Sequence, residues 1–354
     1  MDTSSTPSRP DLLLTHGYFL AEDPKEQAIM KPYVPLGILY LAAYLERAGF
    51  AVEVFDTTFR RFTDLEDRLR QGPPSVVGFA ANLMTRANVV RLARVAKEAG
   101  WIVLFGGPEP PNWAGEYLAA GGDVVVEGEG EETVAELLPV LRAQGPDPAA
   151  LARVSGIVFR DASGALVKTP PRAKLADLDA LPWPAREKVD IGRYLETWRK
   201  AHGAGSLSLI TARGCPFRCN WCSHGVYGYS HRRRSPKAVA DEVAWLVERF
   251  RPEQLWYADD VFNMKAAWLV EYADELERRG IRVPFECICR ADRMTEEAAA
   301  ALARLGAYRV WIGSESGSQR ILDAMERGVT VEQVKTSTAL LRRHGIETGM
   351  FLMW

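Results

Sequence analysis

Short apolar runs alternate with amphipathic stretches along the first 145 residues. Asp11 to Thr15, Ala51 to Asp56, Ser75 to Ala80, Trp101 to Phe105 and Asp123 to Val126 are brief and rich in aliphatic and β-branched side chains, so they read as strands. Between them, Pro35 to Ala48, Thr85 to Ala99 and Thr133 to Arg142 place apolar residues at helical spacing among good helix formers. Strands alternating with helices predict a parallel, doubly wound α/β sheet. Such a sheet binds ligands at the carboxyl ends of its strands. Those ends are glycine-rich or small here: Gly78 to Asn82, then Gly106-Gly107-Pro108, then Gly128-Glu129-Gly130. Missing side chains let backbone come close to something flat and large. Gly78, Asn82, Gly106, Gly107, Gly128 and Glu129 are therefore candidate binding positions.

The pattern changes between about Pro146 and Gly205, which reads as a linker between a first domain (10–145) and a second (206–354). Val154 to Arg160 and Ala165 to Thr169 flank Asp161-Ala162-Ser163-Gly164, a hairpin signal with glycine at the turn. The proline-rich Pro170 to Pro184 continues neither sheet nor helix. Ile191 to Lys200 reads as a short helix whose Tyr194 and Trp198 form a packing pair.

From Ser206 onward strand and helix alternate again. The apolar strand Ser206 to Thr211 comes first, and a helix from Pro236 to Phe250 is opened by Ser235 and Pro236. Strands Gln254 to Ala258, Pro284 to Ile288 and Arg309 to Gly313 are separated by helices Lys265 to Arg278 and Thr295 to Arg304, and Thr330 with Gln333 forms a capping box for another helix. This is a parallel half-barrel, and barrels of this kind collect chemistry at the carboxyl ends of their strands. Asp259, Asp260, Arg290, Glu315 and Ser316 stand at those ends. Cys287 and Cys289 alternate with Arg290 along one strand, so if Arg290 faces the barrel both thiols face the helices. The chain stops at Gly349-Met-Phe-Leu-Met-Trp354, inside what reads as a fifth strand, and a truncated barrel with an exposed apolar edge is expected.

With 44 basic against 46 acidic side chains the net charge is -2, which favours neither nucleic acid nor an anionic membrane. No apolar run is long enough to span a bilayer. Five cysteines without a signal peptide indicate a reducing, cytoplasmic compartment. The basic run His231 to Arg234 reads either as a solvated loop or as a clamp on an anionic ligand.

Cys215, Cys219 and Cys222 lie in ARGCPFRCNWCSHG, directly after the strand Ser206 to Thr211. A loop closing after a strand brings three thiolates to one metal centre, and no fourth soft ligand is close in sequence. This predicts an iron-sulfur cluster with one iron open to the amino and carboxylate groups of a small molecule. Zinc, which takes paired C-x2-C or Cys/His sets, and three unrelated thiols are the alternatives.

The C-x3-C-x2-C loop, with Trp221 before its last cysteine, resembles the radical S-adenosylmethionine (SAM) superfamily. The stretches PLGILYLAAYLERAGFAVEVFD, VVGFAAN, VLFGGP and VVVEGEGEETVAELL look like the cobalamin-binding domain that precedes the barrel in one subgroup. That subgroup includes methyltransferases acting on unactivated carbon and the anaerobic magnesium-protoporphyrin ester cyclase. The resemblance implies a flavodoxin-like cobalamin-binding domain followed by a partial (β/α)6 barrel. Cys215, Cys219 and Cys222 would hold a [4Fe-4S] cluster, and Trp221, Asp259, Asp260, Arg290, Glu315 and Ser316 would contact SAM. It also implies a deoxyadenosyl radical, a small-molecule substrate, and an external electron donor such as flavodoxin or ferredoxin. The cobalt-ligating D-x-H-x-x-G signature is absent around His16, so no histidine is expected beneath a cobalamin. Residues 1–205 hold no cysteine, unlike the methylthiotransferases, whose first domain holds a second cluster. Two other readings stand beside this one: a first domain that docks substrate or partner without cobalamin, and a non-enzymatic electron carrier or redox sensor.

Overall fold

The computed structural model describes residues 9–353; Trp354, the end of the expected fifth strand, lies outside them. The chain forms two compact units, one holding residues up to Leu175 with Leu181–Asp190, the other holding Ala176–Ala180 with residues from Ile191 onward. Among the described residues no helix is long and apolar enough to cross a membrane.

In the first unit β1 (Leu12–His16), β2 (Val52–Phe55), β3 (Val76–Ala80), β4 (Ile102–Gly106), β5 (Val124–Val126), β6 (Ile157–Arg160) and β7 (Leu166–Lys168) form one sheet in the order β2-β1-β3-β4-β5-β6-β7. The first five strands are parallel. Alternation along the strands builds a core on each face. Leu12, Leu14, Leu104 and Val124 pack with helices Leu36–Arg47 and Gly130–Gln144 on one side. Leu13, Val77, Phe79 and Val103 pack with helices Phe62–Gln71 and Arg86–Glu98 on the other. Helix Phe62–Gln71 is missing from the sequence pattern because only Phe62, Leu65 and Leu69 of its ten residues are buried. The hairpin read as part of the linker is instead the antiparallel edge of this sheet, β6 pairing with β5 and β7 with β6.

The second unit holds β8 (Ser206–Leu209), β9 (Ala212–Arg213), β10 (Arg232–Arg233), β11 (Gln254–Tyr257), β12 (Phe285–Cys289), β13 (Ala307–Glu315) and β14 (Glu347–Leu352). Five of these make a parallel sheet, β14-β13-β12-β11-β8, while β9 and β10 form a separate antiparallel ribbon. Helices Pro236–Phe250, Ala266–Arg278, Glu296–Leu305 and Val331–Arg343 fall where the periodicity puts them. The Ser235 cap and the Thr330–Gln333 capping box both form. Tyr257 and Cys287 are register partners on adjacent strands, and the Tyr257 hydroxyl bonds that of Tyr272 on helix Ala266–Arg278 at 2.6 Å. Cys287 and Cys289 thus lie on the helix-covered face, fully buried with their sulfur atoms 3.8 Å apart. Arg290 turns the other way, as the alternation requires.

Candidate functional site

The loop Cys215–Cys222 leaves β9 and the chain returns through β10, so it is tethered at the carboxyl end of β8. Cys219 is buried, Cys215 half-buried and Cys222 exposed, and all are free thiols. A turn closed by Cys222 N donating to Cys219 O at 3.1 Å draws the last two together. Among the described residues no three cysteine, histidine or carboxylate side chains converge as a metal site. The middle cysteine is buried within the loop, while the Cys222 side chain is exposed. The donor chemistry fits a thiophilic metal centre: three free thiols on one loop, with cationic groups at the middle one.

Those cations are Arg290 and Arg327. Arg290, 2 % exposed, puts Nη1 4.0 Å from Cys219 Sγ, stacks its guanidinium 3.5 Å over the Phe217 ring, pairs Nε with Asp292 at 2.8 Å and donates from Nη2 to the Arg327 carbonyl. It is engaged with the cysteine loop and its surroundings through these contacts. Arg327 was not singled out from the sequence; Cys219, the cysteine it approaches, is 108 residues away. Its Nη1 lies 3.5 Å from Cys219 Sγ, and its cation lies 5.8 Å from the ring of Trp221, itself 37 % exposed.

Asp259 is engaged in the same region. Its side chain is fully buried, accepting from Thr211 N at 2.7 Å, Ala212 N at 3.1 Å, the Thr211 hydroxyl and Arg233 Nη2 at 2.8 Å. It holds the entry to the cysteine loop from beneath. The basic run is neither a solvated loop nor a clamp: Arg233 is buried against Asp259 and the Trp268 ring, and Arg234 is paired with buried Glu242. Burial pushes the Arg233 pKa down, opposed by Asp259. Asp260 alone of the acidic pair is exposed at the strand end. Loss of surrounding solvent and then the charge of Asp259 push its carboxyl up, while His224 pulls it down.

Glu315 ends β13 in the left-handed region at φ 58, after a register shift against β14. Its carboxylate stands 3.9 Å from Arg327 Nε; burial pushes its pKa up and Arg327 opposes. Ser316 is half-buried, and its hydroxyl accepts from Ser318 N at 3.2 Å. Glu315 and Ser316 therefore stand at the same strand ends as Asp260 and the cysteine loop.

In the first unit a cavity of about 590 Å³ opens at the carboxyl ends of β1, β3 and β4, lined by His16, Tyr18, Tyr33, Asn82, Gly107 and Pro108 among others. It lies where the strand order reverses between β1 and β3, the switch point at which doubly wound sheets bind ligands. Gly107 sits at φ 104, and a Cβ there would fall 2.5 Å from Ala81 O, so only glycine lets the loops after β3 and β4 close up. Of the six positions expected to bind, Asn82 and Gly107 line the cavity. Gly78 lies inside β3 against Leu14 and is not among the lining residues. Gly106 ends β4 just outside the lining, and Gly128 and Glu129 precede helix Gly130–Gln144, with Glu129 accepting from Leu175 N at 2.9 Å. The loop after β1, which supplies Tyr18 and Tyr33, carries no motif; only its place after the first strand marked it. His16 is engaged on both ring nitrogens, Nε2 with Asp56 at 3.0 Å and Nδ1 with Thr57 Oγ1 at 2.9 Å and Tyr18 N at 3.3 Å. It is a strand-end residue that braces the loops. Glu109 turns away to Arg86 and Tyr117.

A family model described as the B12 binding domain matches residues 29–138, and one described as the Radical SAM superfamily matches residues 209–354. The chain is 28% identical over 338 residues to the anaerobic magnesium-protoporphyrin IX monomethyl ester cyclase of Rubrivivax gelatinosus, covering 89% of this chain and 57% of that protein. It is 26% identical over 329 residues to an uncharacterized methyltransferase of Pyrococcus horikoshii, covering 90% and 69%. The cobalamin-dependent radical SAM enzyme OxsB, solved with aqua-cobalamin bound, aligns with a TM-score of 0.81 at 20% identity over 98% of this chain and 49% of that one. TsrM from Kitasatospora setae, solved with cobalamin and a [4Fe-4S] cluster, aligns with a TM-score of 0.74 at 22% identity over 96% and 66%. The chain thus spans from about half to about seven-tenths of the length of these proteins.

Proposed function

We propose that this chain, in which a B12-binding match precedes a Radical SAM match, is an enzyme cleaving SAM at a [4Fe-4S] cluster and using cobalamin to methylate, or close a ring on, an unactivated carbon of a small molecule. The carrying observation is the loop Cys215–Cys222, with three free thiols at the carboxyl edge of a parallel sheet, in one chain with a switch-point cavity. When bound, the cluster supplies one electron to the sulfonium of SAM, and cobalamin supplies a methyl group.

The residues have separate tasks in this reading. Cys215, Cys219 and Cys222 hold the cluster through three thiolates, leaving one iron for the amino and carboxylate groups of SAM, and Trp221 covers the loop. Asp260, exposed at the strand end, meets the SAM amino group, and Glu315 with Ser316 meets the ribose. Asp259 and Arg290 hold the loop itself. Asn82 and Gly107, which line the switch-point cavity, would hold the cobalamin there, with Gly106, Gly128 and Glu129 at neighbouring strand ends. His16 is the one histidine in the first 200 residues, and both its ring nitrogens are engaged, with Asp56 and Thr57, so it would brace the loops around a bound cobalamin rather than ligate it. A reductant such as flavodoxin or ferredoxin delivers the electron.

Anaerobic reconstitution of the whole chain with iron and sulfide, followed by SAM and dithionite, is expected to give 5'-deoxyadenosine, and Cys219→Ala is expected to give neither nucleoside nor cluster absorbance. Nucleoside formed by Cys219→Ala would overturn the cluster assignment. A chain that cleaves SAM yet leaves the visible spectrum of added cobalamin unchanged would reduce the first unit to a docking module.

A further inference from the structure

Cys219 has a more elaborate setting than its two partners. Arg327 follows the short helix Gln319–Ala324, is 9 % exposed, and spends its guanidinium on three neighbours. Nη2 and Nε donate to Gly313 O at 2.8 and 3.3 Å, Nε stands 3.9 Å from Glu315 Oε1, and Nη1 points at Cys219 Sγ from 3.5 Å. The chain makes room for this fork. A Cβ on Gly313 would fall 2.3 Å from Arg327 Nη2, so the strand passes close enough to grip the guanidinium only because that side chain is missing.

Two guanidiniums approach Cys219, but they do not contribute equally. Arg290 is farther from the sulfur at 4.0 Å, and Asp292 sits 2.8 Å from its Nε, cancelling most of its charge at a distance. The carboxylate beside Arg327 is farther away at 3.9 Å, and burial biases it toward its neutral form. The net positive field at the sulfur therefore comes mainly from Arg327. Buried N–H donors and cations beside a ligating sulfur favour the more negative, reduced form of what it ligates. A fork held at three points also restricts where the Cys219 side chain can settle.

We propose that Arg327 is a positioning residue for the middle cysteine: its Nη1–H fixes Cys219 Sγ, and its charge makes the cluster held there easier to reduce by one electron. This rests on the cluster assignment above. It also places one side chain between the middle cysteine and Glu315, so the groups proposed to hold the cluster and the SAM ribose share a single brace.

The test compares the reconstituted whole chain with its Arg327→Met, Arg327→Lys and Gly313→Ala variants by EPR-monitored redox titration with dithionite. Arg327→Met is expected to shift the reduction equilibrium at least tenfold toward the oxidised cluster, about 59 mV for one electron. Arg327→Lys, which keeps charge but not the fork, is expected to recover part of that shift. Gly313→Ala keeps every charge and displaces the guanidinium, so it is expected to move the potential in the same direction as Arg327→Met. A brace on the Gly313 carbonyl alone predicts a changed melting temperature with the potential unmoved, and an unmoved potential in Arg327→Met would overturn the proposal. A second readout needs no cluster: in the metal-free chain, iodoacetamide labelling of the buried Cys219, read by peptide mass spectrometry, is expected to rise several-fold in Arg327→Met, where the fork no longer holds and covers the sulfur, while Cys215 and Cys222 keep their rates. If the wild-type chain takes up no cluster, the functional reading fails first, and equal Cys219 labelling in wild type and Arg327→Met would then sink this inference on its own.

Discussion

Asp259 and Asp260 are neighbours in the sequence with opposite surroundings, which shows what one-dimensional reading misses at the residue scale. Both were legible as strand-end acids, but only three-dimensional packing shows that Asp259 is consumed by Thr211, Ala212 and Arg233. Asp259→Asn removes the partner of a buried guanidinium, and an unpaired buried charge costs about 3–5 kcal/mol. Urea unfolding of the variant is expected to show a loss of that order. Asp260→Asn is expected to leave stability nearly unchanged and to weaken SAM binding, because the residue stands exposed at the strand end and, unlike Asp259, pairs with no buried guanidinium. Equal stability losses in the two variants would refute the division of labour. Glu315 adds a pH signature. Its pKa is raised by burial, so the unfolded chain ionises first as pH rises, and stability present at low pH falls through the interval above the ordinary carboxylate range until the folded carboxyl also ionises. Glu315→Gln cannot lose that proton. Stability of wild type relative to Glu315→Gln is therefore expected to decline with rising pH across that interval and then level off, as read from urea midpoints at a series of pH values. A rising difference would reverse the assigned direction.

Elements were more legible than contacts, and the exceptions have physical causes. Continuous apolar runs such as Leu12–His16 and Val76–Ala80 announce buried parallel strands, and their alternation sorts side chains onto two faces with no further information. Helix Phe62–Gln71 escaped because it is mostly polar and anchors through three residues. The hairpin was recognised but misplaced, since pairing with β5 depends on partners more than thirty residues away. The cavity was half legible. Small residues after β3 and Gly107 after β4 pointed to the right sheet edge, but the loop after β1 lines the cavity with residues that form no pattern. Gly107 carries the element-level prediction. Alanine there must tolerate φ 104 and a 2.5 Å approach to Ala81 O, so the loops after β3 and β4 have to separate. Backbone strain of this kind costs about 1–3 kcal/mol. Gly107→Ala is expected to weaken cobalamin retention on gel filtration while SAM cleavage by the reconstituted chain persists. Wild-type cobalamin retention in that variant would remove Gly107 from the proposed cobalamin site.

Across the whole molecule, two sheets with separate cores imply two cooperative units. The first buries aliphatic and aromatic side chains on both faces of seven strands, while the second is built around five parallel strands and the braced cysteine loop. Units of this kind unfold as separate transitions when each has its own core. A ligand that binds only one folded unit stabilises that unit by RT ln(1 + [L]/Kd), about 2.7 kcal/mol at a hundredfold excess over Kd. Cobalamin, proposed for the switch-point cavity, is therefore expected to raise one calorimetric transition of the metal-free chain in logarithmic proportion to its concentration. SAM, which has its place only beside a cluster, is expected to move the other transition in reconstituted protein and neither in metal-free protein. Asp259→Asn offers an internal label for the traces, because it should lower only the transition of the second unit, the one SAM raises. Cobalamin raising that labelled transition instead would place its binding in the barrel unit and contradict the cavity assignment at its root.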